Sequence, residues 1–586
     1  MGQSNLSIAL HSRPFQMEGA RFAMEHRSVV IADEPGLGKT IQSIAAVIGS
    51  KTSGSVLIVA PKTAAYVTWP AELNRWLAEV SPYDPIRIIG GLVDKPTRLE
   101  ILKDTLRWHV NYEAFQRSLG TQPGPITRQW VIVSPNYLRF NFQLDGDKKF
   151  VYDEYGHKVV LPVREALTAL LKVPWSAVIV DEAHETLAGA TGNIKKQSAQ
   201  SRGIRLLQIK PDGLRIALSG TPFRGKHENL WGILNWIQPK TYTDSSTRGG
   251  DGKLPYWRWI HKHFEVFHDD VWNQDIIGNL RSERELAREA KQYMIRRTKK
   301  KVAPELPEKF YGGQPLYPNK KPPPELLADI AIQLGRKKLD DWYDKNNPIA
   351  IWLPMEGKQK TVYDQMKREA MAHFENGTLL ANSILAEMTR LKQFANSYGR
   401  LDNEGNYIPQ LPSNKFEWIL QFLRERGIDG PDPSGSKVVI ASQFTKHINL
   451  FATELRNTHK IPCYVLTGET KTQDRVLFQN EFQSGKLRTG KPSPEVIILN
   501  TKAAGVSITL DAADDMVVID STYNVDDQVQ LEDRIHRISR VHQVTIWNLA
   551  SKGTIDQQIL RKTRETGRSL KRILNTSAAA LELLDS

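Results

Sequence analysis

The chain has 586 residues, too many for one hydrophobic core, so two or more domains are expected. Charged residues make up 25% and hydrophobic ones 40%, an ordinary globular composition, and no run approaches the roughly 18 apolar residues of a membrane span. A net charge of +14 and a pI of about 9.4 favour a polyanionic partner, most simply nucleic acid, through counterion release from its phosphates.

The N-terminus, MGQSNLSIALHSR, lacks a charged region followed by an apolar core, so no secretory signal is expected. RPFQ, Arg13 to Gln16, opens a helix-like stretch through Glu25. The Gln16 amide offers a donor and an acceptor that suit the edge of an adenine, although by itself a Gln at a helix start is far more often a solvated group. The β-branched run Ser28 to Ala32 then reads as a buried strand, followed by DEPGLGKTIQ, Asp33 to Gln42. Ile41, Ile44, Ala45 and Ile48 lie at helical spacing, closed by Gly49. Strand, glycine-containing loop and Lys-Thr at a helix start form the layout of a phosphate-binding loop. Lys39 would reach the β- and γ-phosphates, and the Thr40 hydroxyl would bind Mg²⁺. Asp33 stands where the first Gly of the strict pattern would be. Pro35 fixes its own φ and biases Glu34 away from helical geometry, which stiffens the loop's entry.

The strand Val56 to Ala60 ends in Pro61 and Lys62, before a helix carrying Trp69, Glu72 and Trp76. A basic residue there points into the crevice where α/β sheets bind ligands, or is a plain surface lysine. A strand at Val131 to Ser134 precedes Asn136 and Tyr137. Next, KKFVYDEYGHKVVLPV suggests a hairpin that touches DNA or is a surface insertion. SAVIVDEAH reads as a strand ending in Asp181 and Glu182. Asp181 can hold the waters of Mg²⁺, while Glu182 can orient and deprotonate an attacking water. After Leu214 to Leu218 stands SGTP, Ser219 to Pro222, whose hydroxyls could link a nucleotide site to a second site. His227 to Pro239 reads as an amphipathic helix. His261 and His263 have H-x-H spacing with no cysteine nearby, so no metal site is assigned.

MIRRTKKKVAPELPEK, Met294 to Lys309, reads as a solvated charge run. YGGQPLYPNKKPPP, Tyr311 to Pro324, is the best linker, followed by a helical region to about Arg400 and a second breaker cluster, Gly427 to Ser436. A new strand series follows at Lys437 to Ala441, Ile461 to Leu466, Glu495 to Asn500, Met516 to Asp520 and Val544 to Leu549, implying a second parallel sheet. Cys463, the only cysteine, lies within it as expected core, and its solitude excludes intrachain disulfides and fits a reducing intracellular setting. In QLEDRIHRISR, Gln530 to Arg540, Arg534 and Arg537 lie three apart, on one face of an expected helix. They are surface residues or arginines that reach a γ-phosphate.

The whole set, in order, resembles the Swi/Snf-type branch of superfamily 2 helicase-like ATPases. RPFQ, DEPGLGKTIQ, APKTAAYVTWPAE, DEAH, LSGTPFRGKHENLW, MIRRTKKKVAPELPEK, ASQF (Ala441 to Phe444), TKAAGVSITL and QLEDRIHRISR look like its successive motifs. The resemblance implies an α/β fold with two RecA-like parallel-sheet lobes in tandem, helical insertions, and ATP in the cleft between lobes. It places lobe 1 at 1–310, a linker at 311–347, a helical protrusion region at 348–436 and lobe 2 at 437–586. It implies a DNA-dependent ATPase that uses ATP and Mg²⁺ on double-stranded DNA, forked or branched DNA included, with no membrane role. Carried over, Gln16 reads adenine, and Asp33, Glu34, Pro35, Gly36, Leu37 and Gly38 form the nucleotide loop with Lys39 and Thr40. Asp181 and Glu182 do the hydrolysis chemistry, with Thr40 and Asp181 as the metal-side residues. Arg534 and Arg537 complete the site from lobe 2, supported by Gln530. Lys62, Asn136, Tyr137, Ser442, Gln443, Thr501 and Lys502 fall in motifs that touch the DNA backbone, which position without reading sequence.

Some positions depart from the family's pattern. Pro35 replaces Met. Ala504, Ser507 and Thr509 replace Gly, Gly and Asn, Ser539 and Arg540 replace Gly-Gln, and Tyr523 to Val525 replaces WNP. These point away from the chromatin remodellers and toward small divergent members, including annealing-helicase-like proteins of the kind also found in bacteria and phages. A bacterial or phage-infected cell is accordingly the expected setting, and DNA repair or recombination an expected process. Two alternatives stay open. One is a strand-separating or strand-annealing helicase using hairpins at Lys148 to Pro162 and near Gly399 to Pro412 as wedges. The other is a non-motor DNA-binding scaffold with a decayed ATPase, against which the intact Lys39, Asp181, Glu182, Arg534 and Arg537 argue.

Overall fold

Short aliphatic runs bounded by glycine, proline and small polar residues become the central strands of two parallel sheets. The computed structural model describes residues 13–90, 93–120, 126–143, 145–146, 151–154, 159–187, 197–222, 227–243, 255–269, 274–317, 347–375, 381–501, 508–538, 540 and 542–566. The chain divides into two units, Met1–Pro304 and Glu305–Ser586.

The first unit runs α1 (Pro14–His26), β1 (Ser28–Ile31), α2 (Lys39–Gly49), β2 (Gly54–Val59), α3 (Trp69–Val80), β3 (Ile86–Ile89), α4 (Lys95–Ser118), β4 (Arg128–Val133), β5 (Trp175–Val180), α5 (Ala183–Thr186), β6 (Ile209–Leu218), β7 (Phe264–Asp269), β8 (Gln274–Leu280) and β9 (Met294–Ile295), with further short helices between. Seven strands form one sheet in the order β3-β4-β2-β5-β6-β1-β9, every pairing parallel. β2, β4 and β5 are buried throughout, which is why they read as continuous apolar runs rather than alternating ones. β7 and β8 form a separate antiparallel pair.

In the insertion after Tyr137 the two runs expected to form a hairpin do pair, Val159 N donating to Val151 O (2.9 Å), and a third segment joins them. Gln143 N donates to Val159 O (2.9 Å), Val151 N to Gln143 O (3.1 Å) and Leu161 N to Asn141 O (3.0 Å), so three short extended segments pair together. Arg202 fastens their base, donating to Phe140 O (2.8 Å) and Asn141 Oδ1 (2.6 Å). Residues 147–150 and 155–158, with Lys148, Lys149, His157 and Lys158, lie outside the described residues.

The second unit contains β10 (Lys309–Gly312), β11 (Gln314–Pro315), β12 (Ile349–Leu353), α6 (Gly357–Glu375), α7 (Ala381–Asn396), β13 (Gly399–Leu401), β14 (Tyr407–Pro409), β15 (Val438–Ser442), β16 (Cys463–Leu466), β17 (Val496–Asn500), β18 (Asp515–Val518), α8 (Val525–Glu532) and β19 (Val544–Ser551). Its sheet has the order β11-β12-β19-β18-β15-β17-β16, with β10 also on β19. Only the β11–β12 pairing is antiparallel. Lys309 to Gly312, which composition puts at the end of lobe 1 and the start of a linker, is thus a strand of the second sheet. Gly313, at φ +116°, turns the chain out of β10 where a Cβ would meet Ala350 O at 2.4 Å. The linker residues 318–346 lie outside the described residues. Cys463 is buried in β16, as its apolar run implies.

A buried polar network joins α7 to the sheet. Lys392 Nζ donates to Ser521 O (2.6 Å), Asn396 Nδ2 to Asp520 Oδ2 (3.0 Å), and Lys415 Nζ to Asp556 Oδ2 (2.6 Å). Lys392 and Lys415 are almost wholly buried, so these bonds are obligatory: an unpaired ammonium there would carry the full desolvation cost. The β13–β14 hairpin is also held down. Its Tyr407 is buried and stacked on His447 at 5.3 Å, which fixes the base of this short hairpin, while Asn403, Glu404 and Asn406 at its tip are exposed.

Candidate functional site

In the first unit the loop after β1 is shaped by two left-handed glycines, Gly36 at φ 84° and Gly38 at φ 75°, and the second starts α2 at Lys39. Leu37 is fully buried and pins the loop's middle. Gln16 is buried as well. Its Nε2 donates to Leu37 O (3.1 Å) and its Oε1 accepts from Arg13 N (2.9 Å). Two of the four hydrogen-bonding capacities of this amide therefore prop the loop and cap α1, and one donor and one acceptor position remain for a base edge.

The Asp33 side chain is turned into the core. It is fully buried, and its carboxylate accepts from Arg297 N and Nε (both 3.0 Å), Arg297 Nη2 (2.7 Å) and Gln42 Nε2 (2.9 Å). A carboxylate with this many donors is a structural anchor, and what Asp33 presents to the loop is its carbonyl, which accepts from Lys39 Nζ at 3.0 Å. Glu34 is likewise held from below, accepting from Lys299 N at 2.7 Å. Arg296 completes the clamp, donating to Ala32 O (3.1 Å) and Gly220 O (3.2 Å). Arg296, Arg297 and Lys299 are the site residues that sequence reasoning missed, since their segment reads as a solvated charge run. The signal available for them was their place in a family motif.

Pro35 packs on the SGTP turn: a Cβ at Gly220 would lie 2.7 Å from Pro35 Cγ and 3.4 Å from Lys39 Nζ. Pro35→Met is expected to change ATP affinity by less than about tenfold, because a flexible side chain can cover the same glycine. Equilibrium binding of a fluorescent ATP analogue checks this, and a larger loss would assign the proline a specific role.

At the end of β5, Asp181 Oδ2 accepts from Trp69 Nε1 (2.9 Å) and Oδ1 from Glu182 N (3.0 Å). Burial and the neighbouring Glu182 charge push the Asp181 pKa up to about 6, against the pull of the Trp69 bond and Lys39. Glu182 sits at φ 46°, ψ 51°, a left-handed conformation costly for a residue with a Cβ. Its Oε2 is buried and makes no hydrogen bond, 3.4 Å from His184 Nδ1. His184 Nδ1 lies 2.9 Å from Ser219 Oγ, which accepts from Thr221 N at 3.2 Å. The DEAH segment and the SGTP turn are thus joined through Ser219. An unsatisfied carboxylate oxygen beside a second carboxylate and a lysine fits a hard, oxygen-ligated cation with a phosphate. Thr40, in the first turn of α2, supplies a further oxygen.

Lys62 is exposed just past β2, and Asn136 is exposed just past β4, on a short 3-10 turn, Pro135–Leu138. β2 and β4 are neighbours, so both residues stand on the C-terminal edge of the sheet. Asn136 Oδ1 accepts from Gln200 Nε2 at 2.8 Å. The Tyr137 ring is partly buried, with the Arg98 and Arg164 guanidiniums 5.2 Å and 5.5 Å from its centroid, and so packs inward.

In the second unit, Gln530 lies in α8, but Arg534 and Arg537 do not share a helix face with it. The helix ends at Glu532, its last bonds tightening to Arg534 N→Leu531 O (3.0 Å) and Ile535 N→Glu532 O (3.2 Å). The arginines instead lie along the segment 508–510: Arg534 O accepts from Leu510 N at 3.0 Å, and Arg537 Nη2 donates to Ile508 O at 3.1 Å. Ser442 and Gln443 are corrected too. Both side chains donate to Asp520, Gln443 Nε2 at 2.9 Å, so they brace the end of β15 instead of offering free groups to a phosphate. Thr501 is buried, with its hydroxyl making no hydrogen bond. Lys502, Ala504, Ser507 and Ser539 lie outside the described residues.

No helix among the described residues is long and apolar enough to cross a membrane. A model of the SNF2-related domain matches residues 15–312, and one of the helicase conserved C-terminal domain matches residues 414–539. SNF2 domain-containing protein ENL1 of Oryza sativa subsp. japonica is 23% identical, over 94% of this chain and 50% of that protein. The ISWI chromatin-remodeling complex ATPase ISW1 of Saccharomyces cerevisiae is 22% identical, over 97% of this chain and 41% of that protein. The chain thus spans half or less of the length of these relatives. A solved structure described as the Sulfolobus solfataricus SWI2/SNF2 ATPase core in complex with dsDNA is 19% identical, covering 98% of this chain and 96% of that one, with a TM-score of 0.34.

Proposed function

Because the chain belongs to the SNF2-related family of helicase-like ATPases, we propose that it hydrolyses ATP and is driven by duplex DNA, along which it moves or remodels bound protein. The observation that carries this reading is Glu182: a residue in a strained left-handed conformation next to Asp181, whose buried Oε2 makes no hydrogen bond, in the unit that holds Lys39 on its glycine loop.

In this reading Lys39 and the loop's N–H groups bind the phosphates, while Gln16 offers its remaining donor and acceptor to the adenine. Thr40 and Asp181 hold Mg²⁺, which when bound supplies charge neutralisation on the phosphate oxygens. Glu182 Oε2 orients a water and takes its proton, and Arg534 and Arg537 stabilise the charge spread over the transferring phosphoryl group. Lys62 and Asn136, both exposed at the C-terminal edge of the first sheet, are the DNA-backbone contacts in this reading. The bacterial or phage-infected setting and a repair or recombination process rest on motif divergence alone, and the relatives named above are eukaryotic.

An ATPase assay with duplex, single-stranded and forked DNA and with RNA tests the proposal. Low basal turnover rising strongly with duplex DNA is expected, and stimulation by RNA alone, or by nothing, would overturn it. Triplex displacement without strand displacement is the expected motor signature, and strand displacement would favour the helicase alternative. Arg537→Ala should lower turnover by about 10³-fold or more and spare nucleotide binding. Equal loss of both would remove Arg537 from its role at the phosphoryl group.

A further inference from the structure

Within the second unit, the chain entering from the first ends on the residues that carry the arginine pair. Lys309 Nζ lies 3.1 Å from Glu532 Oε2 and 3.0 Å from Asp533 Oδ1. The Tyr311 hydroxyl donates to the same Glu532 oxygen at 2.8 Å, and His536 Nε2 donates to Pro307 O at 2.7 Å. Gln528 Nε2 takes the other Glu532 oxygen at 3.1 Å.

Electrostatics makes the lysine necessary. Glu532 and Asp533 stand at the C-terminal end of α8, where the helix dipole disfavours carboxylates, and they are only 3% and 5% exposed. Little solvent is available to screen them, so a cation must. Burial works against the Lys309 ammonium, but Asp533 and Glu532 outweigh it and hold its pKa above the ordinary lysine value. One residue past this pair comes Arg534, and the chain has already left the helix. Where residues 532 and 533 are held therefore sets how Arg534 and Arg537 are presented.

We propose that Lys309, with Tyr311 and His536, is a positioning residue for the arginine pair, and that the segment 296–312 is a tie between the two halves of the ATPase machinery. Its first end, through Arg296, Arg297 and Lys299, grips the base of the phosphate loop, and its second end grips the arginine segment. Seven residues lie between Lys299 and Pro307, so a change at either anchor has little chain in which to dissipate. The inference rests on the arginines acting in hydrolysis as proposed above.

The test is steady-state DNA-stimulated ATPase on Lys309→Met, Lys309→Arg and Tyr311→Phe in the full chain, alongside binding of a non-hydrolysable ATP analogue. Lys309→Met should lower kcat by about tenfold or more while KM and analogue affinity stay within about twofold, and Lys309→Arg should restore most of the loss. Tyr311→Phe, which removes one hydroxyl from a partly exposed ring, should fold normally and lower kcat by about two- to fivefold, so it decides the matter should Lys309→Met fail to fold. Wild-type kcat in Tyr311→Phe and in folded Lys309→Met, or kcat and affinity falling together, would overturn the inference. A wild-type chain without DNA-dependent turnover would instead overturn the functional reading beneath it.

Discussion

Replacing Glu182 by glutamine is expected to lower ATP turnover by about 10²- to 10⁴-fold, the range for loss of a general base, and to leave nucleotide affinity intact or slightly tighter. The substitution is nearly isosteric, so the left-handed backbone and the packing around it persist. Proton-accepting capacity is lost, because an amide oxygen in place of Oε2 orients a water but does not take its proton. Affinity survives because a negative charge disappears from a place where a polyphosphate has to approach Asp181, so ground-state repulsion falls while Lys39 and the loop are untouched. Steady-state turnover together with equilibrium binding of a labelled nucleotide separates the two terms. Near-wild-type turnover would remove Glu182 from the chemistry, and a parallel loss of affinity would make its role one of holding the site rather than operating it.

The fold was legible in sequence where burial is two-sided. β1, β2, β4, β5 and the Leu214–Leu218 half of β6, and then β15 to β19, fall where apolar runs predict them, since a parallel strand covered on both faces needs no polar residue in its middle. β3, β9 and β10 were not legible. They are two to four residues long and only partly buried, and β10 follows a charge run and ends on the first of a pair of glycines. The site divides along the same line. The glycine loop and the Asp181–Glu182 pair are local patterns with a local cause. The partners of Asp33 are not: Arg297 lies 264 positions away, and nothing near it distinguishes a buried guanidinium from a solvated one. The helical spacing of Arg534 and Arg537 failed for a related reason, because tertiary bonds to Lys309, Tyr311 and the 508–510 segment end α8 before periodicity would. Ser442 and Gln443 match a DNA-facing motif, yet Asp520, 78 and 77 positions later, claims both side chains.

Arg297→Met should destabilise the first unit by about 3 to 5 kcal/mol, the cost of removing one member of a buried ion pair. Asp33 is fully buried and Arg297 only 5% exposed, so no solvent would take the guanidinium's place. The loss reaches further than the pair, because Arg297 also donates to Phe15 O, to Glu18 Oε2 at 3.1 Å and to Gln42 Oε1 at 2.8 Å, tying α1 and α2 to the loop between them. Pairing Arg297→Met with Asp33→Asn should cost less than the sum of the single changes, since each single variant strands a partner that the double variant removes. Chemical denaturation of the first unit's transition reads this directly: a lower midpoint with an unchanged slope is expected for Arg297→Met, and an unchanged midpoint would mean that Asp33 finds other donors. ATP affinity should fall in the same variant, because the Asp33 carbonyl that holds Lys39 Nζ is anchored through the lost guanidinium. A protein that lost stability but kept its affinity would show that the glycine loop holds its shape without the clamp beneath it.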